Sequence, residues 1–145
     1  MDKQTEATKE MLESYRSKKE EIEELQYKLK HLGKGDSMVG NDTIFDYRSG
    51  YPQPQAVVGT DWKKVSRTEQ RYRNKISELE SECQMIEDFV EGIKDSMTRR
   101  IFRMYYLEGM SQKAIGEKIH MDRSRISRKI DVFLKNAHKA HKAHL

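Results

Sequence analysis

Between Arg123 and Lys129 the chain packs Arg123, Ser124, Arg125, Ser127, Arg128 and Lys129 around a single apolar residue, Ile126. An arginine can fork two hydrogen bonds onto the O6 and N7 of a guanine, while serine and lysine can hold phosphate oxygens. Read that way, the cluster is chemistry for recognising nucleic acid. Taken by itself it is equally well a solvated helix face. The surrounding spacing favours the first reading. Ile126, Ile130, Phe133 and Leu134 recur at i, i+4, i+7 and i+8, so the apolar residues and the cations fall on different faces of one helix.

That helix needs a start and a partner. Asp122 is placed to cap it. Upstream, Ser111 is placed to cap a shorter helix from Gln112 to Ile119, with Ile115 and Ile119 facing inward and Ser111, Gln112 and Lys113 near the same ligand. Gly116 sits where a side chain would hold the two helices apart, and His120-Met121 form the turn, with Met121 directed into the core. A first helix runs from a cap at Asp95 to about Glu108, its inner face taken by Met97, Ile101, Met104, Tyr105 and Leu107. Gly109 ends it, since a left-handed residue is cheap there only for glycine.

The stretch from Arg99 to Ile130 resembles region 4 of bacterial sigma-70 factors and of small phage regulators built on it. The markers are an arginine-rich helix running into Tyr105–Gly109, the Ser-x-x-x-Ile-Gly-x-x-Ile pattern of Ser111–Ile119, and Arg-x-Arg-Ile at Arg123–Ile126. The chain as a whole looks like a phage late-transcription regulator of the ArpU/RinA-like type. The resemblance implies that Arg123, Ser124, Ser127 and Arg128 face base edges and nearby phosphates. Ser124 stands where sigma factors usually carry Glu, and Arg128 where Gln is common, so the usual −35 sequence is not the expected target. A region 2 pattern is missing, so a complete sigma factor is not expected.

Two apolar seams precede this module. Met11, Tyr15, Lys18, Ile22, Leu25, Leu29 and Leu32 alternate steps of four and three, which predicts an amphipathic helix from about Lys3 to Leu32 stopped by Gly33 and Gly35. Trp62, Val65, Glu69, Tyr72, Ile76, Leu79, Cys83, Ile86, Val90, Ile93 and Met97 mark a second. Its helix starts near Asp61, or at Ser66 with Glu69 completing a capping box, and ends near Glu91 or Gly92. Neither stripe can stay in water, so an antiparallel hairpin or a parallel homodimeric coiled coil is expected, and both can contribute to one dimer. Between them, residues 33–59 hold five of the eight glycines and both prolines, Pro52 and Pro54. This is a loop whose Phe45, Tyr47, Arg48 and Tyr51 form either a reaching arm or a plain connector.

The expected architecture is therefore all-α. An N-terminal helix (1–32), a loop (33–59) and a second long helix (60–93) lead into a three-helix helix-turn-helix module (94–136) and a basic His/Lys tail (137–145). Charge follows this division. Residues 1–94 hold 16 Lys/Arg against 19 Asp/Glu, whereas residues 95–145 hold 12 against 5. The basic excess at one end suits a polyanionic partner. Charged residues are 36% of the chain and hydrophobic ones 35%, a balance suited to long solvated helices with narrow seams.

No apolar run approaches the ~20 residues that span a bilayer, and the charged N-terminus does not resemble a signal peptide. The single cysteine, Cys83, lies on a seam, excludes an intrachain disulfide and fits a reducing cytosol. His138, His141 and His144 recur every third residue, but no Cys or carboxylate completes a metal set, so neither metal nor cofactor is expected. With no phosphate-cradling loop, paired carboxylates or activated nucleophile, no enzyme is expected either. The leading expectation is a sequence-specific transcriptional regulator in the bacterial cytoplasm, nucleoid-associated. It would bind double-stranded DNA as a homo-oligomer, a dimer favoured, with RNA polymerase as a further partner. A small terminase subunit and a pure polymerase- or sigma-binding protein are the alternatives.

Overall fold

The computed structural model describes residues 3–33 and 61–143. Every regular element among them is helical: α1 (Lys3–Glu13), α2 (Tyr15–His31), α3 (Trp62–Glu91), α4 (Ser96–Phe102), a π-helical turn (Arg103–Leu107), α5 (Gln112–Ile119) and α6 (Arg123–Ala143). No helix among the described residues is long and apolar enough to cross a membrane. The loop residues Phe45, Tyr47, Arg48, Tyr51, Pro52 and Pro54 lie outside the described residues, as do His144 and the side chains of His138 and His141.

The chain divides into two compact units, Glu20–Ser81 and Met1–Lys19 with Glu82–Leu145. Within Glu20–Ser81, Ile22, Leu25, Val65, Ile76 and Leu79 are buried, and Leu29 and Tyr72 are half-buried. Burying each aliphatic side chain stabilises by roughly 1.5–3 kcal/mol, which is what holds two otherwise polar helices together. Asp61 starts α3, its carboxylate accepting the N–H groups of Lys63 and Lys64 at 3.0 and 3.2 Å. Ser66 is therefore not the cap, and Glu69 pairs instead with Arg73 at 3.0 Å.

Two seam assignments change here. Trp62 is 67% exposed, because it is the first residue of α3 and only one edge of its ring is covered, near Gly33. Thr68 rather than Glu69 is buried. A hydroxyl-bearing residue of that size can enter the interface, whereas a carboxylate would have to shed its water.

In the other unit α1 and α4 both pack on α6, and α5 packs on α6 and on the π turn. The helix expected to run unbroken from Lys3 is interrupted at Ser14, whose hydroxyl donates to the Met11 carbonyl at 2.6 Å. Such back-bonding competes with the regular ladder and disturbs a helix locally. Leu12 is buried where Met11 was expected to be, and Lys18 reaches past the seam to Glu82 at 3.1 Å. Ile86 and Val90 are fully buried on α3, beside Cys83 and Ile93.

The first helix of the C-terminal part also differs from expectation. After Phe102 the backbone bonds run i to i+5, as in Glu108 N–H to Arg103 O at 2.9 Å. One extra residue in the turn rotates everything after it by one position. Tyr106 is consequently buried, Tyr105 and Leu107 are half-buried, and Met104 is buried as expected. Gly109 then adopts φ +76, letting the Met110 N–H return to the Met104 carbonyl at 2.9 Å.

Candidate nucleic-acid interface

Three caps set the helices that carry the candidate residues. Asp95 accepts from the backbone N–H of Thr98 at 2.9 Å and from its hydroxyl at 2.7 Å. Ser111 accepts from Ala114 N–H at 3.0 Å. Asp122 accepts from the Ser124 N–H at 3.2 Å and from the Ser124 hydroxyl. Hydrogen bonds from Thr98 hold the Asp95 carboxyl below its ordinary range, and those from Ser124 do the same for Asp122. Each carboxylate therefore stays charged at the N-terminal end of its helix, where the aligned peptide dipoles favour a negative group.

The turn between α5 and α6 is tight. His120 takes the left-handed conformation, φ 57 and ψ 49, and Met121 N–H bonds to the Gly116 carbonyl at 2.9 Å. A Cβ built on Gly116 would lie 2.4 Å from the Met121 carbonyl oxygen and 3.4 Å from Ile126 Cδ1. Only a residue without a side chain lets the turn close this far. Ile115 and Ile126 are fully buried, and Ile130 and Leu134 nearly so. Ile119, Met121 and Phe133 are half-buried. Phe133 meets Phe102 edge-on at 4.9 Å and Phe89 at 6.3 Å.

This anchoring decides what α6 shows to solvent. At about 100° per residue, Arg128 lies opposite the Ile126–Ile130 edge, with Ser124 and Arg125 beside it. Arg123, Ser124, Arg125 and Arg128 are all exposed, and Ser127 and Lys129 are half-buried. Among the described residues, no carboxylate lies within ion-pairing distance of Arg123, Arg125, Arg128 or Lys129. Arg128 and Lys129 also border a cavity of about 310 Å³ lined by Thr98, Val132, Phe133 and Asn136. On α5, Ser111 and Lys113 are exposed and Gln112 half-buried. The structure thus brings all nine candidate residues to two helices joined by one turn.

Three other arginines of the same unit are engaged. Arg103 forms a forked pair with Glu91, at 2.8 and 2.7 Å, which lowers the Glu91 pKa and raises that of Arg103. Arg99 donates to the Ile93 carbonyl at 2.7 Å, and Arg16 to the Leu107 carbonyl at 3.4 Å. The last two satisfy carbonyls at helix ends, which otherwise lack partners. In the sequence, Arg99 and Arg103 stand out only as part of an arginine-rich pattern. Their structural use depends on where distant carbonyls fall, which no local spacing reveals. Cys83 is buried, and burial pushes its thiol pKa up, so it is a core residue rather than a nucleophile.

Set against known protein families, curated protein sequences and solved structures, the chain matches none.

Proposed function

We propose that this chain is a sequence-specific regulator of transcription that binds double-stranded DNA, with α5 and α6 acting as a helix-turn-helix and α6 lying in the major groove. In this reading α4 through α6 form the three-helix module, and α2 with α3 form a long antiparallel hairpin ahead of it. The observation that carries the proposal is the first two turns of α6. Arg125 and Arg128 project away from the edge held by Ile126 and Ile130, and Arg123 is exposed at the helix start, with no intrachain carboxylate among the described residues to neutralise them. Cations left unpaired on a rigid helix are suited to a partner that brings its own negative charge.

The resemblance to sigma-70 region 4 supports a phage or prophage late-gene activator, acting as a dimer and contacting RNA polymerase. In that role Arg123 and Arg128 read base edges, and Ser124, Ser127, Lys129 and Lys113 position phosphates. The deciding experiment is selection of bound duplexes from a random library, combined with the solution mass of the protein. An enriched motif, palindromic with a dimeric mass, supports the reading. Recovery of unenriched sequence at every round overturns it.

A further inference from the structure

Helix α3 is electrically divided. Residues 61–75 hold six Lys/Arg against two Asp/Glu, whereas residues 76–91 hold six Asp/Glu and no Lys or Arg. The acidic stretch is heavily used within the fold: Glu82 pairs with Lys18, Glu87 accepts from Tyr15 at 2.6 Å, and Glu91 is forked by Arg103.

The basic stretch is different. Arg73 is held by Glu69, and Lys75 by Glu78 at 3.6 Å. Asp61 is occupied with capping. Lys63, Lys64, Arg67 and Arg71 remain, all exposed, with no carboxylate among the described residues within ion-pairing distance. Of these, Lys64, Arg67 and Arg71 are spaced i, i+3, i+7. At about 100° per residue these three fall within one arc of roughly 60°, beside the buried Thr68 and about 100° or more from Val65 and Ile76. The row is roughly 10 Å long at a rise of about 1.5 Å per residue. The acids of α2 in this unit cluster at Glu20, Glu21, Glu23 and Glu24, and the described residues of α2 nearer its C-terminal end contribute Lys28 and Lys30 instead.

We propose that Lys64, Arg67 and Arg71 form a second, sequence-independent contact for the phosphate backbone of duplex DNA, separate from the α5–α6 surface. The occupant follows from charge. Three mutually repelling cations in a line, left unneutralised by the fold, match a rod carrying one negative charge per about 1.7 Å. Arg71 borders a groove with Leu25 and Tyr72, but the exposed groups of the row itself are all cationic, which fits a phosphate track better than an apolar protein groove.

The test uses the full-length chain and random-sequence duplex DNA, with affinity measured across a salt series for the wild type, K64Q/R67Q/R71Q, the charge-keeping K64R/R67K/R71K, and R123A/R128A. Each lost phosphate contact lowers the slope of log K against log salt by about 0.9, so the glutamine triple variant is expected to lose about 2.7. The charge-keeping variant should retain the wild-type slope. The same loss should appear when the glutamine substitutions are placed in the R123A/R128A background. An unchanged slope in the glutamine variant, with helical circular dichroism intact, overturns the proposal, as does a change confined to binding of anionic lipid vesicles. If the stripe variant loses slope while R123A/R128A enriches the same motif as the wild type in selection from the random library, the α6 reading fails and this one stands. The reverse pattern spares the α6 reading and removes this one.

Discussion

Two groups of arginines sit in the same C-terminal unit and do opposite things. Arg99 and Arg103 are turned inward on the chain, one onto the Ile93 carbonyl and the other onto both oxygens of Glu91. Arg123, Arg125 and Arg128 find no such partner among the described residues. Composition does not separate them, since both groups are dense in arginine and lie on helices opened by an aspartate cap. What differs is the neighbourhood. Arg99 of α4 and Arg103 of the π turn lie beside the end of α3, where carbonyls and Glu91 need donors, whereas α6 leaves Arg123, Arg125 and Arg128 exposed. Counting partners, rather than charges, identifies which cations are available to a ligand.

The largest effect should come from removing the platform itself. Ile126 is fully buried behind the exposed arginines. Ile126→Ala is expected to lower unfolding free energy by about 2–5 kcal/mol, read by urea denaturation, because the cavity adds to the lost transfer energy. DNA affinity should fall with it. A variant that kept both would mean the arginines do not depend on this anchoring.

The next separates the two groups directly. Arg128→Ala should weaken binding to a selected duplex by about 1–3 kcal/mol while leaving stability within about 0.5 kcal/mol. Arg103→Ala should do the reverse: a measurable drop in Tm, kept small by the exposure of its partner, and no change in duplex affinity. If the two variants shifted affinity equally, the distinction drawn from their partners would collapse. Ser111→Ala comes third, at about 1 kcal/mol of stability by thermal or chemical unfolding, since it leaves the Ala114 N–H at the start of α5 without its acceptor.

The sequence carried some of this plainly. Gln112–Ile119 has the bounds that Ser111 and the turn residues imply, Gly116 is needed because the Met121 carbonyl comes so close, and Asp61 and Asp95 both act as caps. These features are written in side chains within a few positions of the backbone they serve. The failures have the opposite character. The π turn adds one residue per turn and moves burial from Tyr105 to Tyr106, which a fixed 3.6-residue period cannot register. Trp62 reads as a seam residue from its type, yet helix ends bury little. The packing of α1 on α6, and the duties of Arg99 and Arg103, depend on contacts between parts of the chain far apart in sequence.

The smallest effect is also the one that compares the two helices through their caps. Asp95 opens the helix that carries the engaged Arg99 and Asp122 the helix with Arg123, Arg125 and Arg128, and hydrogen bonds hold both carboxyls below the ordinary value of about 3.9. A carboxyl with a lowered folded-state pKa stabilises the fold above its ordinary value, and loses that contribution as pH falls through the ordinary value towards the folded one. Stability should therefore be flat near neutrality and decline below about pH 4. Asparagine caps a helix about as well as aspartate but does not titrate. Asp95→Asn and Asp122→Asn should each keep most of the Tm at pH 7 and shallow its decline in acid, and the double variant should shallow it more. Circular dichroism melts from pH 7 to pH 2.5 would read this. The Asp95 cap gains additional support from the nearby positive charges of Lys129 and Arg99, which Asp122 lacks, so Asp95→Asn should shallow the decline more. Equal slopes for the two single variants would show that Lys129 is too far into solvent to be felt at Asp95, and would place it with the arginines left free for a ligand.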